Sequence, residues 1–434
     1  MAYLLKCHPR PGVLYTQVGD FVADHSRWAP PDPARPTAGP RPVFNVTLGQ
    51  PSTDVAAEVV AALAVASMVH GKHGEAEHAA RLLAAAISVF EITEAVLGPA
   101  NALNPTRAAH VFPQCAPPEE GGECFYWTFA DSVDDKLAWG LAWLVAAETH
   151  RPAATAVTAA ATAAAAAAEQ GQGQAQAQAQ GQGREQGEGE GQAQGQDDAA
   201  TAGRAARLEE VLAKQHLATT TAEERATRAF SWDSKWPAVY VLCATRLGHT
   251  AAAAASDAHL AFWSTPGDGT AGVGQRFTPG GLVFYQPWGS LRYATHAAAL
   301  ALFRLAASPP ALRLTAEAAA RLRLLARSQA NYALGVNPVN RSLVTGFGRN
   351  PPRRAHHRWA SGMRGFCAFH RLTDLPNVHA LPGALVGGPY CAEAGTRWYG
   401  CDAYADRRHD YLTLTLTLTL TLTLTLTLTL PTNH

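Results

Sequence analysis

The residues best equipped for chemistry lie in loops. Ser342 to Arg358 reads SLVTGFGRNPPRRAHHR, a glycine-flanked turn followed by a proline pair that holds the chain extended, with His356, His357 and Arg358 at its end. Imidazole and guanidinium groups donate well to sugar hydroxyls and can also steady a carboxylate. Trp288, Arg292 and Tyr293 stand where a Gly/Pro-rich loop runs into an apolar helical stretch. An aromatic face can stack on the apolar face of a pyranose while a neighbouring Arg donates to its hydroxyls. Near the start, VGDFVADHSRW offers Asp24, His25 and Trp28 in a polar loop. Near the end, Gly387, Gly388 and Pro389 make a tight turn, and Tyr404-x-Asp406 leads toward a helix start. Asp406 is a candidate acid/base or orienting carboxylate. Each stretch also has a plainer reading: Trp288 as core, Arg292 as a surface ion-pair partner, Asp406 as a helix N-cap, and the histidines as ordinary loop residues. Read together, the four point to carbohydrate.

The elements that must position these loops are helical. Asp54 to Val69 is apolar nearly all round, as expected of a helix buried between neighbours. Leu137, Leu141 and Leu144 recur at helical spacing beside Trp139 and Trp143. Further helices are expected over roughly 236–247, 293–307 and 314–334. From about Ala153 to Ala206 the chain passes through polyalanine, Gly-Gln, Ala-Gln and Gly-Glu runs with no bulky apolar anchor, so 151–207 is expected to be a disordered insertion. After Tyr411 a strict Leu-Thr alternation runs to Leu430; it resembles translated simple-sequence DNA more than a folded element, and half its residues are too polar for a membrane span.

Composition excludes several classes of function. Lys+Arg and Asp+Glu are 35 each, so the formal net charge is zero, and with no basic face nucleic acid is not an expected partner. The seven cysteines show no CxxC pair and no metal-type spacing, so no zinc or redox site is read. Cys115 with Cys124, or Cys391 with Cys401, could close a disulfide across a short loop in an oxidising compartment. The N-terminus lacks the charged and apolar regions of a secretory signal.

In order, these stretches resemble the signature blocks of glycoside hydrolase family 9. Similar too are YLLKCHPRPGVLYTQVGD, STDVAAEVVAALAVAS, DDKLAWGLAWL, FSWDSKWP and QANYALGVNP. The resemblance covers nearly all of 1–150 and 208–411, and it implies an all-α (α/α)6 barrel whose open cleft hydrolyses β-1,4-glucan with inversion. By the same resemblance, His25 and Trp28 match one sugar-binding loop and Trp288, Arg292 and Tyr293 a second. His356 and Arg358 match a His-x-Arg active-site signature, with Ala355 where the family usually has Pro. Asp406 matches the aspartate of the C-terminal signature. The implied catalytic residues are thus His356 and Asp406, and the implied partner is β-1,4-glucan, met by a monomer outside the cell, with neither membrane nor cofactor.

The departures bear on activity. An inverting site needs two carboxyl groups roughly 6.5–9.5 Å apart. The family's water-activating aspartates would fall before Met1, so the barrel is expected to be incomplete, with 1–150 and 208–411 as its two parts and 412–434 as a repeat tail. Thr415 stands at the position of the proton-donating glutamate, and a hydroxyl cannot act as a general acid near neutral pH. Lys136 occupies the matching acidic position of a calcium site found in some members, so no metal is expected. Two readings follow: a cellulase-type hydrolase that is incomplete and inactive as written, or a non-catalytic carbohydrate-binding or vestigial protein.

Overall fold

The computed structural model describes residues 2–19, 41–49, 53–95, 133–150, 186–362, 375–389 and 402–408. The chain divides into two compact units, 1–17 with 43–219 and 18–42 with 220–434.

The first unit opens with α1 (Ala2–Cys7), followed by a two-stranded pairing of β1 (Val13–Val18) with β2 (Val43–Thr47). Its core is a helical hairpin of α2 (Thr53–Lys72) and α3 (Ala76–Ala95), against which α4 (Asp134–Thr149) packs. α2 is long and apolar enough by composition to cross a bilayer. It nevertheless has a protein-facing side, since Ala56, Ala57, Val60, Leu63 and Ala64 are buried. The close approach of α4 depends on Gly140, where a Cβ would lie 3.0 Å from the Ala57 carbonyl oxygen. Trp139 and Trp143 meet edge to face, with ring centroids 5.6 Å apart. Lys136 gives Nζ to Asp135 Oδ2 at 2.8 Å within the buried face of the same helix.

The low-complexity stretch departs from expectation in its second half. α5 spans Gln186–Glu209 and continues as a π-helical segment, Glu210–Leu217. Order therefore begins well before Leu208. The physical reason is tertiary: Arg204 forms a forked ion pair with Glu148 on α4, and Leu208, Val211 and Leu212 are buried. Residues 151–185 lie outside the described residues, as do both candidate disulfide pairs. Of the described cysteines, Cys7 is half-buried and Cys243 buried.

The second unit holds α6 (Ala222–Thr227), α7 (Trp236–Arg246), α8 (Thr250–Ser264), α9 (Ser290–Ala307) and α10 (Ala316–Leu334). α7 pairs with α8 and α9 with α10, two more helical hairpins. A short ribbon of β3 (Arg276–Phe277) and β4 (Val283–Phe284) lies between them in sequence, and the one-turn helix α11 (Arg358–Ser361) follows the candidate loop. The ends are well signalled. Thr221 and Glu224 form a reciprocal capping box at α6, Thr315 caps α10, and Gly335 closes α10 in the left-handed conformation at φ 119°. The helices expected over 236–247, 293–307 and 314–334 begin or end within three residues of those found.

Candidate active site

The second unit carries every described candidate residue. His25 and Trp28, with Asp24, lie outside the described residues. The remaining six fall into two groups.

The first group surrounds the N-terminus of α9. Trp263 is buried and donates its indole N–H to the Ala226 carbonyl at 3.1 Å. From it a run of rings continues through the exposed Tyr285 to the buried Tyr293, with centroids 5.6 Å from Trp263 to Tyr285 and 5.0 Å from Tyr285 to Tyr293. The Arg292 guanidinium sits 4.4 Å over the Tyr293 ring and donates to its hydroxyl, as does the Gln286 amide. Arg292 is therefore committed to an aromatic partner, while its buried Nε has no hydrogen-bond partner. Trp288 is 41% exposed, which rules out the core reading of that residue. Burial, the neighbouring Tyr293 and the Asp233 charge together raise the Tyr285 phenol.

That influence of Asp233 puts the loop Phe230–Lys235 beside this group. Trp232 in the same loop is 44% exposed and was not singled out from the sequence. A tryptophan between Ser and Asp, outside any helical period, was the available signal.

The second group is built by three strands of irregular chain. Residues 342–345 pair with 384–386, through Thr345 N to Ala384 O at 2.8 Å and Val386 N to Leu343 O at 3.0 Å. The turn 387–389 then docks on α9, where Leu291 N donates to Gly387 O at 2.9 Å. Gly388, at φ 113°, is required there, since a Cβ would fall 2.7 Å from Ser290 Oγ. This turn links the two groups in one hydrogen-bonded layer.

Asp406 stands in irregular chain, 402–407, along which burial alternates, with Asp402, Tyr404, Asp406 and Arg408 inward and Ala403, Ala405 and Arg407 exposed. Its carboxylate accepts the backbone N–H groups of Arg353 at 2.9 Å and Arg354 at 3.0 Å. Arg354 and Arg341 add ion pairs at 3.8 and 3.9 Å. Two residues beyond that clamp, His356 Nδ1 donates to the Arg408 carbonyl, so this nitrogen carries a proton. Arg408 is buried and donates to Asn377 Oδ1 and Leu375 O, both at 2.8 Å. His357 accepts the Ala360 N–H at 3.2 Å as the cap of α11, and its pKa is lowered by burial and by Arg358. Arg358 is half-buried on the first turn of α11.

Asp402 was also missed in sequence reading. It is buried and accepts three donors: Thr278 Oγ1 at 2.5 Å, Gly280 N at 2.7 Å and Tyr332 OH at 2.6 Å. Gly280 has no room for a side chain, because a Cβ would lie 2.5 Å from the Pro338 ring and 2.9 Å from Asp402. Burial and the carboxylate hold the Tyr332 phenol protonated far above its usual range. Asp402 thus fixes the 402–408 segment to the turn 278–282 and to α10.

A cavity of about 530 Å³ lies elsewhere in this unit, between α6, α8 and the 271–274 turn. Alanine and glycine dominate its lining, Glu223 is its only ionisable residue, and none of the candidate residues reaches it. Among the described residues no three metal-ligating side chains converge on one point.

The family model described as Glycosyl hydrolase family 9 matches residues 1–428. Endoglucanase B of Cellulomonas fimi is 29% identical over 94% of this chain and 31% of its own length, and Endoglucanase 14 of Arabidopsis thaliana is 29% identical over 94% and 69%. The chain spans a third to a half of the length of the bacterial relatives it matches. Among solved structures, the endoglucanase of the termite Nasutitermes takasagoensis aligns with a TM-score of 0.63 and 26% identity, over 95% of this chain and 72% of that one. Endoglucanase CelQ of Clostridium thermocellum, complexed with cellotetraose, aligns with a TM-score of 0.62 and 26% identity, over 95% and 52%. The fold class is the all-α (α/α)6 type of these cellulases, as expected from the sequence. The chain belongs to glycosyl hydrolase family 9.

Proposed function

We propose that this chain binds β-1,4-glucan outside the cell, along the layer that carries Trp288, Arg292, His356 and Arg358, as an endoglucanase-type domain that does not complete hydrolysis. The observation that carries the reading is the clamp of Asp406 on the Arg353 and Arg354 amides, beside the bond from His356 to Arg408. A loop fixed in this way presents its imidazole and guanidinium without an ordering cost on binding. Trp288 supplies an exposed aromatic face, and the Arg292–Tyr293 pair a fixed support next to it in the chain. The cellotetraose complex of CelQ supports the choice of ligand.

In this reading Asp406 is a positioning residue. Both its oxygens already accept backbone N–H groups, and Asp402 is likewise saturated by three donors, so neither is arranged to exchange protons with a substrate. Thr415, at the position the family resemblance gives to the proton donor, cannot supply one. Titrating cellotetraose into the full chain should therefore give measurable heat of binding, while incubation with carboxymethylcellulose releases no reducing sugar above the blank. Absence of binding overturns the glucan reading. Release of reducing sugar overturns the claim of inactivity.

A further inference from the structure

Trp359, on the first turn of α11, is 44% exposed, an uncommon state for an indole. Its ring stacks on His379, with centroids 4.5 Å apart and planes 22° from parallel. The support is itself fastened. His379 N donates to Ala360 O at 2.9 Å, Asn377 N to Arg353 O at 2.7 Å, and Asn377 Nδ2 to Ala355 O at 3.0 Å. Gly362, at φ 65°, admits Val378 so closely that a Cβ would lie 2.7 Å from that side chain. Through Asn377 Oδ1, which accepts from Arg408 at 2.8 Å, the same strip is tied to the segment that carries Asp406.

An indole stacked on one face against His379, whose backbone is tied to α11, and still nearly half exposed has ring surface left for a ligand. Ordering that surface for a ligand costs little side-chain entropy. His357 and Arg358 precede Trp359 in the chain and His379 stacks on its ring, so polar residues stand next to an apolar plate. A β-linked glucose ring has the complementary pattern, with axial C–H groups on its faces and hydroxyls around its rim.

We propose that Trp359, backed by His379, is an accessory glucan platform on which one glucose ring of a bound chain stacks, beside the hydroxyls addressed by His356 and Arg358. The proposal rests on the glucan-binding reading above and extends it to a residue that neither the sequence signatures nor the comparisons assign. The platform contributes stacking area alone and takes no part in bond cleavage.

The test is calorimetric titration of cellohexaose into the full chain and its variants. Trp359→Ala is expected to weaken binding about tenfold and Trp359→Phe by less, because a smaller ring retains part of the stack. His379→Ala, which removes only the support, should lie between wild type and Trp359→Ala. A second measurement needs no variant: in the wild-type chain, cellohexaose should slow oxidation of Trp359 by N-bromosuccinimide, read by peptide mass mapping. Wild-type affinity in Trp359→Ala, or equal oxidation of Trp359 with and without cellohexaose, overturns the platform while the glucan reading stands. If the wild-type chain takes up no cellohexaose, both are overturned.

Discussion

On acidification from about pH 7 to about pH 4, the second unit is expected to lose roughly 5 kcal/mol of stability through two buried histidines. His259 and His296 are both pushed down to about 4 from an ordinary 6.5, in each case chiefly by burial. His259 bonds the Ala226 carbonyl through Nδ1 at 3.1 Å, and His296 bonds the Phe230 carbonyl through Nδ1 at 2.7 Å, so both rings are neutral with the proton on that nitrogen. Nε2 of His296 is buried with no partner, and Lys235 and Arg292 also oppose a charge there. A depressed folded pKa means that the unfolded chain takes up the proton first. Stability is therefore intact above about pH 6.5 and drains away as pH falls toward 4, by roughly 3 kcal/mol per ring at the limit. Total stabilities are of order 5–15 kcal/mol, so the melting temperature should drop steeply across that window. In His296→Asn the drop between about pH 6.5 and 4 should be close to half that of wild type. A variant curve that runs parallel to wild type contradicts the assignment.

The second large effect is expected at Asp406. Asp406→Ala removes the acceptor for two backbone N–H groups and the ion-pair partner of Arg341 and Arg354, which releases the loop ending at His356 and Arg358. Leaving such donors unpaired costs roughly 1–3 kcal/mol of stability. The affinity for cellotetraose should fall at least about tenfold, equivalent to ~1.4 kcal/mol of binding energy. Asp406→Asn retains one accepting oxygen but turns an amide N–H toward a backbone N–H, so its loss should be intermediate. Calorimetry alongside a thermal melt separates the effects, and a folded Asp406→Ala with wild-type affinity excludes the clamp as the organiser of the site.

What the sequence made legible follows from where the determinants lie. Helices with large apolar residues at regular spacing, such as the one holding Leu137–Leu144 and Trp236–Arg246, could be recognised, the second with nearly correct bounds, because local periodicity carries them. α8 was not picked out, since its alanine-rich run leaves few bulky residues to mark a face, and α3 was passed over although Leu82, Leu83, Val89, Phe90 and Ile92 are buried along it. α5 was misjudged for a related reason: its composition offers no core of its own, and its order comes from Glu148, more than fifty residues earlier.

The loops followed the same rule. Residue type and local motif mark His356, Arg358, Trp288 and Arg292 as candidates. They do not mark the roles of Asp402 and Asp406, because their partners lie 52 to 124 residues away in sequence. Alternation over Asp402, Tyr404, Asp406 and Arg408 was a readable hint of one inward edge. It was outweighed by the local preference of aspartate for a helix start.

Hydrogen exchange of the full chain with and without cellotetraose, read peptide by peptide, tests the central claim most directly. Exchange in the peptides spanning 286–293 and 349–358 is expected to slow when the oligosaccharide is present. Unchanged exchange in both, under conditions where calorimetry registers binding, would mean that the sugar is held elsewhere and that this layer is not the glucan site.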